Sequence, residues 1–254
     1  MSSSPDAVRE PPAVLVTRPE PGCAETAAAV AALGWRPLLA PALVLSPLPL
    51  PADIAHPVQA LLLPSRAAAR ALAGALDPGL PVLAVGPGTA AEAEAAGFRD
   101  VRHAEGEAES LVVLARARLR PRQGALLLAA GRGYSRTLAA ALRDQGFAVR
   151  HRAVYAARPA TALPPETLDA LRRGRARAAL FLSPRSAQVT QRLLRRAGLA
   201  ETVRGMVALA LSQRIAQSLA GMPWRAIRAT PAPDSLALLA LLGRPAPGME
   251  DEVA

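Results

Sequence analysis

The chain has 254 residues and a formal charge of +10, carried by 30 basic residues that are all Arg; it has neither Lys nor Asn. Hydrophobic residues make up 51% and aromatics only 3%, so the apolar mass is Ala, Leu and Val. That apolar fraction excludes a disordered polybasic chain, and the length suits one large domain or two of ordinary size.

Along the chain, short apolar runs alternate with Ala/Leu-rich helical stretches. Val14-Leu15-Val16 precedes a helix from about Cys23 to Leu33, ended by Gly34. Leu61-Leu62-Leu63 precedes a helix over Ala67 to Leu76. Val82 to Val85 ends at Gly86 and leads into Thr89 to Ala96, stopped by Gly97. Leu126-Leu127-Leu128 precedes Ser135 to Arg143, stopped by Gly146. Ala179 to Leu182 precedes Ser186 to Arg196, stopped by Gly198, and Val207 to Leu211 precedes Gln213 to Ala220, stopped by Gly221. Continuous apolar strands between helices with a glycine at the carboxyl end predict an α/β fold with parallel sheets.

The units repeat in order. Val14 and Leu126 stand 112 residues apart, as do Gly34 and Gly146. Leu63-Pro64-Ser65-Arg66 resembles Leu182-Ser183-Pro184-Arg185, and Ala84-Val85-Gly86-Pro87 resembles Leu209-Ala210-Leu211-Ser212. Two copies of a three-unit module predict two similar domains. The Pro-rich passages Leu38 to Pro57 and Ala157 to Pro165 are where the chain is expected to cross between them, and the tail from Gly243 is expected to fray.

Several function classes fall away. The arginines are scattered, apart from Arg172, Arg173, Arg175 and Arg177, and aromatic stacking platforms are nearly missing. The charge therefore reads as compositional bias, and no nucleic-acid partner is expected. A lone Cys23 forms no internal disulfide, no basic-then-apolar leader opens the chain, and no apolar run reaches the roughly 20 residues a membrane helix needs. A cytoplasmic protein without membrane contact is expected. His56, His103 and His151 lie far apart, without carboxylate or Cys at ligand spacing, and read as surface or turn residues, so no metal is expected. Cys23 reads as a small buried side chain. Gly131-Arg132-Gly133 and Gly86-Pro87-Gly88 both lack the third glycine of a dinucleotide fingerprint.

What remains is a set of polar turns, each at the carboxyl end of a predicted strand: Thr17-Arg18, Ser65-Arg66, Gly86 to Thr89, Gly131 to Ser135, Ser183 to Ser186, and Ser212 to Arg214. Ligands of open α/β sheets bind at that edge, and hydroxyls, amides and Arg forks there suit carboxylates. The alternative is that each Ser or Thr only caps the helix that follows it.

Taken together, Val14-Leu15-Val16-Thr17-Arg18-Pro19, Leu33-Gly34-Trp35, Pro41, Ala84 to Ala90, Val154-Tyr155 and Phe181 to Ala187 resemble the uroporphyrinogen-III synthase family, from about residue 14 to residue 242. The resemblance implies two similar α/β domains, residues 1–41 with 158–254 and residues 42–157, joined by a two-stranded β connection, with the active site in the cleft between them. It implies a lyase that closes the linear tetrapyrrole hydroxymethylbilane with loss of water and inversion of the terminal pyrrole. It further implies no cofactor, a monomer, and transient hand-over from the enzyme that makes the bilane. Carried over by resemblance, Tyr155 assists departure of the hydroxyl. Thr17, Ser65, Thr89, Ser183, Ser186 and Ser212 hold substrate carboxylates with the amides around Gly86 and Gly131, and Arg18, Arg66 and Arg185 add charge. Two turns depart from the family pattern: Pro64-Ser65 stands where many members have Thr-Ser, and Ser212-Gln213-Arg214 where some have a glycine turn and threonines. The rival reading is a non-catalytic module that binds a tetrapyrrole or another polyanion.

Overall fold

A computed structural model describes residues 11–54, 57–231 and 234–246. His56, the chain start before residue 11 and the tail beyond Ala246 lie outside the described residues. In chain order the elements are β1 (Ala13–Val16), α1 (Gly22–Ala32), β2 (Arg36–Leu39), β3 (Leu43–Pro47), β4 (Val58–Leu63), α2 (Arg66–Ala71), β5 (Val82–Ala84) and α3 (Pro87–Ala95). They continue with β6 (Val101–His103), α4 (Ala108–Arg118), β7 (Ala125–Gly131), α5 (Arg136–Asp144), β8 (Val149–Pro159) and α6 (Pro165–Arg172). The last described elements are β9 (Ala176–Phe181), α7 (Pro184–Arg196), β10 (Val207–Ala210), α8 (Gln213–Leu219), β11 (Ala226–Ala229) and α9 (Ser235–Leu242).

These elements form two compact units. One holds the described residues up to Val44 together with those from Arg158 onward; the other runs from Leu45 to Ala157. The first unit contains a five-stranded sheet in the order β11-β10-β9-β1-β2, with every pairing parallel among the described residues. The six-stranded sheet has the order β3-β8-β7-β4-β5-β6 and is parallel from β8 to β6. β3 and β8, the two strands that carry the chain across the boundary between the units, are neighbours in it.

The repeat seen in the sequence becomes topological here. β2-β1-β9-β10-β11 and β8-β7-β4-β5-β6 are the same arrangement, so β1 corresponds to β7, β9 to β4 and β10 to β5. Numbered along the chain, the first is the doubly wound order 2-1-3-4-5 and the second its circular permutation 5-4-1-2-3, with the winding reversing between β1 and β9 and between β7 and β4. Only the first copy is discontinuous in sequence: β1 and its helix are completed by β9 to β11 from the far end of the chain. The cap-to-cap match pairs Ser65 with Ser183, the residues preceding α2 and α7. Arg66 and Arg185, which look alike in sequence, therefore stand at the first and second helical positions and are not equivalent.

Continuous apolar strands are used on both faces. Leu61, Leu63, Leu127 and Ala129 pack with Ala68, Leu72 and Val154 on one side of the six-stranded sheet, and Ala60, Leu62, Leu126 and Leu128 pack with Leu111, Leu138 and Leu142 on the other. In the first unit Val14, Val16, Ala178 and Leu180 pack against Cys23, Val30 and Leu238. Each fully buried Leu contributes about 1.5–3 kcal/mol relative to its exposed state.

Several sequence expectations are corrected. The helix after β4 ends at Ala71, because a turn with left-handed Gly74 (φ +67°) interrupts the Ala/Leu pattern before Leu76. Gly34, Gly97, Gly146 and Gly198 end their helices with positive φ, whereas Gly221 is not among the left-handed glycines. His103, on β6, is the exposed surface residue expected, whereas His151 is half-buried on β8. At Gly243, where the tail begins, the carbonyl accepts from Trp35 Nε1 at 2.8 Å; the tail beyond Ala246 lies outside the described residues. Among the described residues no helix is long and apolar enough to cross a membrane.

Candidate functional site

The richest constellation lies at the carboxyl ends of β7, β4 and β8 in the second unit. β7 and β8 run in register from Leu126↔Val149 to Ala130↔Ala153, and the register then shifts so that Gly131 faces Tyr155. Val154 is the extra residue of this bulge. It is fully buried in the same cluster that Tyr155 packs against, and its carbonyl accepts from the Leu48 amide just after β3. The Tyr155 carbonyl in turn accepts from the Arg132 amide at 2.8 Å, which ties the bulge to the turn after β7.

The bulge places the Tyr155 ring across Gly131. A Cβ at residue 131 would lie 2.7 Å from Tyr155 Cζ and 2.9 Å from Tyr134 Cδ2, closer than real side chains pack. Neighbouring strands lie about 4.8 Å apart, so β8 and β4 are separated by about 10 Å, with β7 between them. A tyrosine on β8 reaches β4 only by lying over β7, and the missing side chain at Gly131 makes that path available. At its end the Tyr155 hydroxyl stands 3.3 Å from Ser65 Oγ.

Ser65 is the N-cap of α2, in extended conformation, and its oxygen accepts from the Ala68 amide at 3.3 Å. Its one proton is therefore available to the phenol oxygen, in the sequence Ala68 N–H to Ser65 O–H to Tyr155. Burial pushes the Tyr155 phenol above its ordinary value of 10.0, while the Ser65 hydrogen bond acts in the opposite direction. At 3.3 Å that bond is longer than the usual hydroxyl–hydroxyl contact, so burial wins. The phenol is neutral at pH 7, and either hydroxyl can be the donor of the Ser65–Tyr155 bond.

The rim of this site is glycine-lined. Gly86, the N-cap of α3, has extended backbone, and a Cβ there would stand 3.1 Å from Gly106 Cα. Pro87 opens that helix and Thr89 is buried within its first turn. Gly88 faces the Arg66 stem, whose Cδ is 3.9 Å from where its Cβ would be. Tyr134, not singled out by sequence reasoning, borders Gly131 and is 41% exposed, an unusual state for a large aromatic side chain. The next residue, Ser135, caps α5 in the left-handed region at φ +62° and is the one non-glycine residue there among the described residues. His151, on the same strand as Tyr155, is held below its ordinary value by burial and then by Arg143.

The equivalent point of the first unit is built differently. Thr17, at the end of β1, is fully buried and donates its hydroxyl proton to the Leu180 carbonyl of β9 at 2.7 Å. That proton is spent across the winding reversal and is not available to a ligand. Ser183 caps α7 by accepting from the Ser186 amide at 3.1 Å and donates to Ser186 Oγ at 3.0 Å; Ser186 is itself buried. Ser212 caps α8 through the Ile215 amide at 3.4 Å. The half-buried Arg18 donates from Nη1 to Thr26 at 3.2 Å, and Arg185 is exposed. Cys23 is fully buried, donates toward the Val16 carbonyl at 3.6 Å, and burial pushes its thiol up to about 11. Ser65, Ser183 and Ser212 therefore all perform the capping role weighed in the sequence, and only Ser65 also meets Tyr155.

Two parallel, doubly wound units, with polar strand-end turns and a half-buried phenol over a glycine, define a class of two-unit α/β protein. No curated protein matches the sequence significantly. The family model of uroporphyrinogen-III synthase HemD matches residues 24–240, most of the chain. The fold is similar to that of the uroporphyrinogen-III synthetase of Helicobacter pylori, at 17% identity, with 91% of this chain and 98% of that one covered and a TM-score of 0.61. A mutant uroporphyrinogen III synthase from the extreme thermophile Thermus thermophilus matches at 22% identity, over 91% of this chain and 95% of the other, with a TM-score of 0.48. The chain belongs to the uroporphyrinogen-III synthase family and is a cyclising hydro-lyase of porphyrin biosynthesis.

Proposed function

We propose that the substrate is hydroxymethylbilane, closed with loss of its terminal hydroxyl as water and inversion of the last pyrrole, and that Tyr155 assists the leaving hydroxyl. The observation carrying this reading is the Tyr155–Ser65 pair, 3.3 Å apart over Gly131. Ser65 donates to the phenol oxygen and thereby orients the phenol proton toward the departing oxygen. A phenol held above its ordinary pKa is too weak an acid to transfer that proton fully. Its part is a hydrogen bond that strengthens as negative charge develops on the leaving oxygen.

The pyrroles supply the electron push, so no strong acid–base pair is required. Selectivity is the harder task, since the bilane also closes without inversion. A preference of about 100:1 for the inverted isomer needs only about 2.7 kcal/mol between competing transition states, which orientation alone can supply. In our reading the strand-end turns of both units hold the acetate and propionate groups through backbone amides and through Ser65, Arg66, Gly86, Thr89, Gly131, Ser183, Arg185 and Ser212. Thr17 and Ser186 stiffen those turns, and Arg18 contributes charge behind the first. The enzyme acts as a cytoplasmic monomer without a cofactor, receiving the bilane transiently from the enzyme that makes it; light scattering of the purified chain tests the monomer.

The deciding experiment supplies freshly generated hydroxymethylbilane, oxidises the products and separates the porphyrin isomers. The inverted isomer is expected in excess, faster than spontaneous closure. Only the non-inverted isomer, at the spontaneous rate, would sink the assignment.

A further inference from the structure

One concave site in the first unit has no part in the reaction derived above. It is a pocket of about 200 Å³ at the opposite end of the strands from Ser183 and Ser212. Ala178 pairs with Val207, the first residue of β10, and Leu209 pairs with Arg228 of β11; all four line the pocket. Its floor is apolar, continuous with the core around Val207, Leu209 and the end of α9, and the buried Trp35 closes one side. Four arginines surround that floor: Arg177, Arg225, Arg228 and Arg244.

This combination is not what a solvated surface requires. Arginines kept apart cost nothing electrostatically, whereas four gathered around one low-dielectric concavity repel each other. Among the described residues no carboxylate pairs with Arg225, Arg228 or Arg244. An anion placed among them reverses the sign of that interaction, and guanidinium forks suit carboxylates in particular. The apolar floor adds a second requirement that inorganic anions do not meet, namely a flat body to cover Leu209 and the Trp35 edge. The volume admits one substituted ring and not a tetrapyrrole.

We propose that this pocket binds a small planar organic dianion, an aromatic or heteroaromatic dicarboxylate of single-ring size, at a site separate from the catalytic turns. The probe is isophthalate, titrated calorimetrically into the full chain while tryptophan emission is followed, with Trp35→Phe identifying the reporting residue. Saturable binding is expected, weakened by about tenfold or more in an Arg225→Ala/Arg228→Ala double variant, with benzoate and inorganic phosphate binding more weakly. An intermediate affinity for Arg228→Lys, which keeps the charge and loses the fork, supports carboxylate pairing. Synthase turnover of the double variant is expected to stay unchanged, which separates this site from the Tyr155 reading. Absence of saturation up to about 10 mM, equal affinity for phosphate, or equal affinity in the double variant overturns the proposal. Binding that arises only after Glu250, Asp251 and Glu252 are neutralised would assign the pocket to the chain's own acidic segment and overturn it as well.

Discussion

The two units reach the same topological position with opposite chemistry. At the winding reversal of the first unit, Thr17 spends its hydroxyl proton on the Leu180 carbonyl and disappears into the core. At the reversal of the second, the position matching Thr17 is the buried Ala129, and two residues on Gly131 leaves a space that is crossed by a tyrosine from the next strand. One duplication thus holds one turn whose hydroxyl is buried and bonded to the backbone and one whose phenol is kept half-buried beside a serine. The difference needs little sequence: a threonine against an alanine, a glycine two residues on, and one extra residue in β8. Both copies keep the serine that caps the following helix, so the cap belongs to the scaffold and the phenol to the site.

The strongest way to break this contrast is to fill the glycine. Gly131→Val drives a side chain into the Tyr155 and Tyr134 rings, and is expected to cost about 1–3 kcal/mol in denaturant unfolding and to lower turnover by about a hundredfold or more. Thr17→Val in the other unit is expected to cost about 1 kcal/mol while leaving turnover within a few-fold, as it removes one hydrogen bond. Equal kinetic losses in the two variants would erase the distinction between the two turns.

Tyr155→Phe comes next. It keeps the ring over Gly131 and removes the donor, so kcat is expected to fall by about ten- to a hundredfold with unfolding unchanged to about 0.5 kcal/mol. In the proposed role the phenol is the acting form, and its pKa is raised above 10.0, so the expected contribution of Tyr155 persists through neutral pH and is lost only as pH rises through that elevated value. A wild-type alkaline limb below pH 10 that vanishes in the variant would contradict this assignment.

Ser65→Ala and Ser183→Ala sharpen the comparison further. Each removes an N-cap and is expected to cost about 1 kcal/mol. Only Ser65→Ala is expected to reduce kcat as well, by about three- to tenfold, because only that serine orients a phenol. Matching kcat values for the pair would leave Ser65 as a cap and nothing more. The smallest effect concerns Cys23, which donates toward the Val16 carbonyl in the first unit. With its thiol pushed up to about 11, it is neutral and buried at about pH 8, so iodoacetamide should label it only in denaturant. Rapid labelling of the native chain would show that this part of the first unit opens.

The sequence was most legible where burial is two-sided. Leu61-Leu62-Leu63 and Leu126-Leu127-Leu128 are strands because both faces are covered, and the left-handed glycines at 34, 97, 146 and 198 mark where helices stop. It was least legible where strands carry charge. β8 reads Val-Arg-His-Arg-Ala-Val-Tyr at its start, and it passes for a loop until its neighbours β3 and β7 are known. The edge strands β6 and β11 contribute only three and four residues and have no apolar run to betray them. α9, a run of Leu and Ala, carries no periodic signal because nearly every position is apolar. Polar turn residues such as Ser65 could be listed from sequence as candidates. That Ser65 would meet a tyrosine 90 residues away could not, since the meeting depends on a bulge and on a glycine valued for what it lacks.

The placement of β1 has a consequence in time. It is synthesised before every other described strand, yet it sits between β2 and β9, and its end at Thr17 bonds to a carbonyl 163 residues later in the chain. The segment from Leu45 to Ala157 is contiguous and complete before β9 leaves the ribosome, so the second unit is expected to fold while β1 and β2 still wait for partners. Pulse proteolysis of stalled nascent chains ending near residue 190 should find Leu45–Ala157 already protected and Ala13–Leu39 still cleavable. The half that carries the phenol is then ready first, and β1, the earliest of the strands to be made, is among the last to be secured.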